Sequence, residues 1–145
     1  MKVSGILATK TGGVITAHPD QQIREAATMM AKHNIGSIVV VNQAGELVGI
    51  LSERDIVRKA VTHDHVFDMP ISDVMTQNVV TALPQDDLMS VAHTMTERRF
   101  RHMPILNADR ELMGMISIGD VLKAQRDKYR GEIDTLETQL MADDA

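Results

Sequence analysis

Apolar positions along the chain alternate between two periods, and the alternation recurs. Ile23, Ala26, Ala27 and Met30 fall at i, i+3, i+4 and i+7, a spacing that gathers one face of an α-helix. Leu88, Val91, Ala92 and Met95 repeat it 65 residues later. Residues 14–16 and 79–81, each followed by a proline (Pro19 or Pro84), predict short strands ahead of these helices. Residues 37–41 and 103–106 predict further strands, joined to strands at 47–51 and 112–116 by turns at 42–45 and 107–110. Asn42, Gly45 and Asn107 tolerate the left-handed backbone that such turns use. Ser52 and Ser117 then stand where another helix begins, each with an aspartate three residues on, as in a helix cap.

The recurrence is a duplication. Residues 14–59 align with 79–124 without a gap, and twelve of the 46 positions are identical, against about 3 expected from average usage. Residues 3–7 also resemble 71–75, offset by 68 because of three extra residues within 9–13. The fold class is therefore α/β (α+β): two repeats related by a pseudo-twofold axis, each with a small sheet and two helices. The first repeat spans 3–59, a linker 60–70, the second repeat 71–124 and a C-terminal helical tail 125–145. A copy of about 60 residues buries little core alone. Packing the apolar faces of two copies together solves this and leaves paired clefts between them.

Composition narrows the function. Of the 145 residues 43% are hydrophobic and 24% charged, as in soluble globular proteins. No apolar run reaches the length of a membrane span, and the first residues lack a secretory signal. A cytoplasmic protein without a membrane partner is expected. The absence of cysteine excludes disulfides, thiolate metal sites and thiol nucleophiles. A net charge of −5 and only three aromatic residues, Phe67, Phe100 and Tyr129, argue against nucleic acid. The eleven methionines serve as filler in a core short of aromatics.

Candidate chemistry sits in Gly49-Ile50-Leu51-Ser52-Glu53-Arg54-Asp55 and Gly114-Met115-Ile116-Ser117-Ile118-Gly119-Asp120. Each places a small residue, a hydroxyl and a carboxylate where a strand turns into a helix. A helix N-terminus suits a phosphate, and an aspartate one turn in suits ribose hydroxyls. Ser-x-x-Asp is equally an ordinary cap, and duplication copies caps as readily as sites.

The order strand–helix–strand–strand, ending in Gly-x-x-Ser-x-x-Asp and occurring twice, resembles the tandem CBS domain family. Residues 101–106 and 114–120 carry the resemblance most clearly, and it covers about residues 3–124. It implies a regulatory module for an adenosine-containing ligand: AMP, ADP or ATP, with NAD as an alternative, or a structural dimerisation module with vestigial sites. By the same resemblance Asp55 and Asp120 hold ribose hydroxyls, and Ser52 and Ser117 lie near phosphate. Ile50 and Met115 flank adenine, with backbone around 12–14 and 77–79. Gly36-Ser37 and Arg101-His102 line the pockets.

The copies differ at these positions. Arg101 and His102 suit phosphate, Gly36 and Ser37 supply no charge, and Arg54 stands where the second copy has Gly119. The sites are therefore not equivalent, and Arg101 and His102 can serve either. Arg98 and Arg99 read as a solvated helix end that complements the dipole. His63-Asp64-His65 lacks a third partner and reads as polar linker rather than metal site. His18, His33 and His93 are isolated surface positions. Neither phosphate-loop motif occurs, Ser117 is not in a G-x-S-x-G elbow, and no base–nucleophile pair is visible, so no catalytic residue is assigned.

Beyond Asp120 a helix should continue to about residue 141, with the last four residues fraying. Leu122, Tyr129, Ile133, Leu136 and Leu140 keep near-heptad steps, with Arg126 filling a gap. They pack either on the chain's own repeats or on a second subunit. The family implies a homodimer and an effector protein that reads ligand occupancy, whose identity the sequence does not give.

Overall fold

The computed structural model describes residues 1–10 and 12–143. Its elements run α1 (Val3–Thr9), β1 (Thr16–Ala17), α2 (Ile23–His33), β2 (Ser37–Val41), β3 (Leu47–Ser52), α3 (Glu53–Ala60), α4 (Leu88–Arg98), β4 (His102–Leu106), β5 (Leu112–Ser117) and α5 (Ile118–Asp143), with 3-10 turns at Val66–Asp68 and Ile71–Asp73. Helices and small sheets mix as the alternating periods require.

The amphipathic stripes explain α2 and α4. Ile23, Ala26 and Met30 are buried on α2, and Leu88, Val91, Ala92 and Met95 on α4. Asp87 caps α4 by accepting from the Ser90 N–H at 3.1 Å. Both helices end on a left-handed residue, Asn34 (φ 53°) and Arg99 (φ 60°). Asparagine enters that region readily, whereas arginine does so against its steric preference.

β2 lies between β1, which runs parallel to it, and β3, which runs antiparallel. β4 and β5 form the matching hairpin, with the same irregularity in register after the fourth pair. The turns are copies too. Asn42 Oδ1 accepts from the N–H groups of Ala44 and Glu46, and Asn107 Oδ1 from those of Asp109 and Glu111. The left-handed residue is Gly45 in one turn and Arg110 in the other.

The short strand expected at 14–16 begins two residues later and is shorter, at Thr16–Ala17, and its counterpart is a single parallel bridge between Ala82 and Ile105. The alanines, nearly buried at 1% and 7% exposure, are small enough to lie under the helix while pairing. The β-branched residues before the second one face a cleft instead: Val79 and Val80 line it.

The two repeats exchange their opening segments. Val3 and Ile6 of α1 are buried in one core with Leu88, Val91, Met95, Ile105 and Ile116. Val66 and Ile71 are buried in the other, with Ile23, Met30, Ile38 and Leu51. The backbone contacts match: Val3 N–H donates to Asp86 and Ser4 to Pro84, as Ile71 donates to Gln21 and Ser72 to Pro19. Each spatial core thus draws on both halves of the chain.

The exchange explains two glycines of the repeated motif. A Cβ on Gly49 would lie 2.5 Å from the Met75 sulfur and 3.0 Å from the Thr76 carbonyl oxygen, and one on Gly114 2.7 Å from Leu7 Cδ2. Each glycine lets the exchanged segment lie directly on the strand. α5 is continuous, with Val121 buried and Ala124 packed on the core. Leu122, Tyr129, Ile133, Leu136 and Leu140 are all exposed, so the tail does not fold back on the repeats.

Candidate functional site

Both Ser-x-x-Asp segments form complete capping boxes. Ser52 Oγ accepts from the Asp55 N–H at 3.1 Å, and Asp55 Oδ2 accepts from the Ser52 N–H at 2.9 Å. Ser117 and Asp120 repeat the pair at the same distances. The first N–H of each helix is also taken, Glu53 donating to the Gly36 carbonyl and Ile118 to that of Arg101. These bonds press residues 36–37 and 101–102 against the helix N-termini. They leave the N–H of Arg54, at the second helical position, without an intrahelical partner.

A cavity of about 370 Å³ opens at the first of these corners, within the size range of small-ligand sites. Gly36, Ser37, Ile50, Ser52, Arg54 and Asp55 line it from the first repeat, and Arg101 and His102 cross over from the second. Thr76, Asn78, Val79 and Val80 form another wall. Arg58 and Arg99 join Arg54 and Arg101 in the lining, so four arginines share the cavity with the two carboxylates of Glu53 and Asp55. A chain of net charge −5 therefore carries a locally cationic cleft. Ser37, 2% exposed, has its hydroxyl oxygen buried without a hydrogen-bond partner among the described residues; such a group is costly unless something bonds to it.

Sequence reasoning missed Arg99, read there as a solvated helix end. Its left-handed backbone ends α4 and turns it into the cleft. Arg58 was missed as well. It lies one helical turn after Arg54 on α3, so that spacing was the available signal.

The second corner differs. Met115 and Asp120 line neither this cavity nor a wider one of about 740 Å³ beside it, which holds Ser117, Ile118 and Gly119. Arg54, Arg99, Phe100, Arg101 and His102 line both cavities. Lys10 Nζ occupies the corner itself, donating to the Met115 carbonyl at 2.7 Å and to Asp120 Oδ2 at 2.9 Å. Partial burial pushes the Asp120 pKa up, but the Ser117 N–H, Lys10 and the Ser117 hydroxyl outweigh it, and the net direction is down. His102 lies between the corners. Burial lowers its pKa most, with Lys10 and Arg101 adding to the effect against Asp120 and Glu53.

The pattern has known relatives. The CBS domain profile matches residues 3–62 and again 71–127. The chain belongs to the CBS domain family. A CBS-domain containing protein from Agrobacterium tumefaciens is 36% identical, with a TM-score of 0.82 over 86% of this chain and 99% of its own. The CBS domain pair of protein MJ0100, solved with 5′-methylthioadenosine and S-adenosyl-L-methionine, is 30% identical (TM-score 0.77, covering 88% and 98%). A CBS domain protein from Pyrobaculum aerophilum complexed with AMP is 29% identical (TM-score 0.74, covering 83% and 89%). As a CBS pair, the chain is a ligand-binding regulatory module in type. Among its described residues no cluster of three metal-capable side chains occurs, and no helix is long and apolar enough to cross a membrane.

Proposed function

We propose that this CBS pair binds an adenine nucleotide (AMP, ADP or ATP) in the Asp55 cleft and passes its occupancy to an effector protein as a change in packing or assembly. The observation that carries the reading is the set of four arginines, drawn from both repeats, that line one cavity with the capped carboxylate of Asp55. Asp55 Oδ2 is engaged in the cap, while Oδ1 has only a 3.5 Å contact with the Thr76 hydroxyl. That oxygen is the acceptor for ribose hydroxyls. Ile50, Val79 and Val80 supply apolar contact for adenine, Gly36 admits the base closely, and Ser37 gives its unpaired hydroxyl. Ser52, the free Arg54 N–H, Arg101 and His102 serve phosphate. Several guanidiniums favour more than one phosphate, because each bidentate contact adds a charge-assisted pair.

Met115, Ser117 and Asp120 form the second site of this reading, with Lys10 seated on Asp120 and the Met115 carbonyl. A dinucleotide such as NAD is the alternative ligand, favoured by the side chains that the two cavities share. Ligand occupancy switches the module only by favouring one of two packings. The reading assigns no reaction to the chain and sets it in the cytoplasm as a homodimer.

Thermal unfolding with AMP, ADP, ATP, NAD and S-adenosylmethionine tests it. A ligand at 100 times its dissociation constant adds about 2.7 kcal/mol, a shift of several degrees. Asp55→Asn keeps an oxygen for the cap and removes the carboxylate, so the shift should disappear while the fold remains. No shift with any ligand, in protein stripped of carried-over nucleotide, favours the structural dimerisation module with vestigial sites.

A further inference from the structure

From Arg126 to Met141 every residue of α5 is exposed, and the helix meets the body chiefly through α4, β5 and α1. Along this free segment Tyr129, Ile133, Leu136 and Leu140 recur at steps of 4, 3 and 4, each more than half exposed. Leu122 and Arg126 extend the same stripe toward the body. This is the alternation of a and d positions in a two-helix seam, with 126, 133 and 140 at a and 129 and 136 at d. Gly131 falls at f, farthest from the seam, where an added Cβ would meet nothing.

The flanking charges decide the partner and its direction. A parallel pairing of two copies stacks Arg126 on itself in the seam. It also sets Glu132 of each helix against Glu137 of the other, a repulsive g–e pairing on both sides. An antiparallel pairing that seats Ile133 opposite Leu136, and Tyr129 opposite Leu140, brings like flanking positions together. Arg130 then faces Glu137 twice, and Glu132 faces Gln139 twice, with no like charges in contact. We infer that α5 docks antiparallel on α5 of a second copy of this chain, over residues 126–143. The inference is independent of the ligand. The seam is short, so the association is reversible and depends on concentration.

Sedimentation of the full chain over a hundredfold concentration range tests this. Concentration-dependent dimerisation is expected, and it should be lost in Ile133→Asp/Leu136→Asp, whose sites are exposed and leave the fold intact by circular dichroism. A chain that stays monomeric, or a double variant that assembles like the parent, overturns the docking. Arg130→Glu should weaken the dimer at least tenfold, and adding Glu137→Arg should restore it; failure to restore overturns the antiparallel register. Because the chain has no cysteine, Asp127→Cys takes a single nitroxide label. At 1.5 Å rise per residue the antiparallel pair separates the labels by about 25 Å, and a distance near 15 Å would show a parallel seam instead.

Discussion

The ammonium of Lys10 sits on the carboxylate of Asp120: Nζ lies 2.9 Å from Oδ2 and donates a second bond to the Met115 carbonyl. In the first repeat Thr76 makes the corresponding contacts. Its N–H donates to the Ile50 carbonyl at 2.9 Å, and its hydroxyl lies 3.5 Å from Asp55 Oδ1. A neutral hydroxyl yields easily to a ligand; an ammonium on a carboxylate must first be displaced. Calorimetric titration should therefore give one nucleotide per chain for the parent and close to two for Lys10→Met. A variant that still binds one shows that Lys10 does not govern occupancy.

The same ion pair sets part of the acid sensitivity. The Asp120 pKa is lowered in the folded chain from 3.8, so its contribution to stability is fully present above the unfolded value. It is lost as pH falls through the lower, folded value. Urea midpoints should change little on this account between pH 7 and about 5 and then drop below about pH 4. Asp120→Asn should flatten that acid limb. An identical limb in the variant would place the sensitivity at other carboxylates.

His102 gives the opposite dependence for binding. Its pKa lies below 6.5 in the free cleft, chiefly through burial, so the ring is neutral at pH 7. A phosphate arriving beside it favours the imidazolium and raises that pKa. Binding then takes up a proton, and nucleotide affinity should rise as pH falls from about 7.5 toward 6. His102→Gln should bind with a flatter pH profile. A parent affinity that weakens over this range would remove His102 from the phosphate site.

The parts of the fold that repeat locally were legible in the sequence. The stripes on α2 and α4, the hairpins and both caps follow from spacings within ten residues, and the duplication doubled each signal. The exchange of Val3 and Ile71 between cores was not legible, because periodicity marks a buried face without saying which copy buries it. Lys10 was missed for the same reason: its partner Asp120 lies 110 residues away. Arg99 escaped because its left-handed φ runs against the preference of its side chain, in a helix cap where the Arg99 and Phe100 N–H groups both turn back to the Met95 carbonyl. Eight of the proposed site residues surround one cavity. Met115, Ser117 and Asp120 are set apart from it by a difference between the copies, Thr76 against Lys10, that the alignment at 65 does not superpose.

The exchanged packing makes the two motif glycines unequal, although they occupy the same place in the repeat. At Gly114 an added methyl meets the end of the Leu7 side chain at 2.7 Å, and a leucine only partly buried at the edge of the core can shift to another rotamer. At Gly49 it meets the Met75 sulfur, which can move, and also the Thr76 carbonyl, which cannot move without breaking the bridge between Ile50 and Thr76. Overpacking of this kind costs about 1–3 kcal/mol. Gly49→Ala should fall at the upper end, and Gly114→Ala at or below the lower, in urea unfolding monitored by circular dichroism. Gly49→Ala should also weaken nucleotide binding, since Ile50 and Thr76 both line the cleft. Equal losses at the two glycines would mean that backbone flexibility, not the seating of the exchanged segment, selects glycine there.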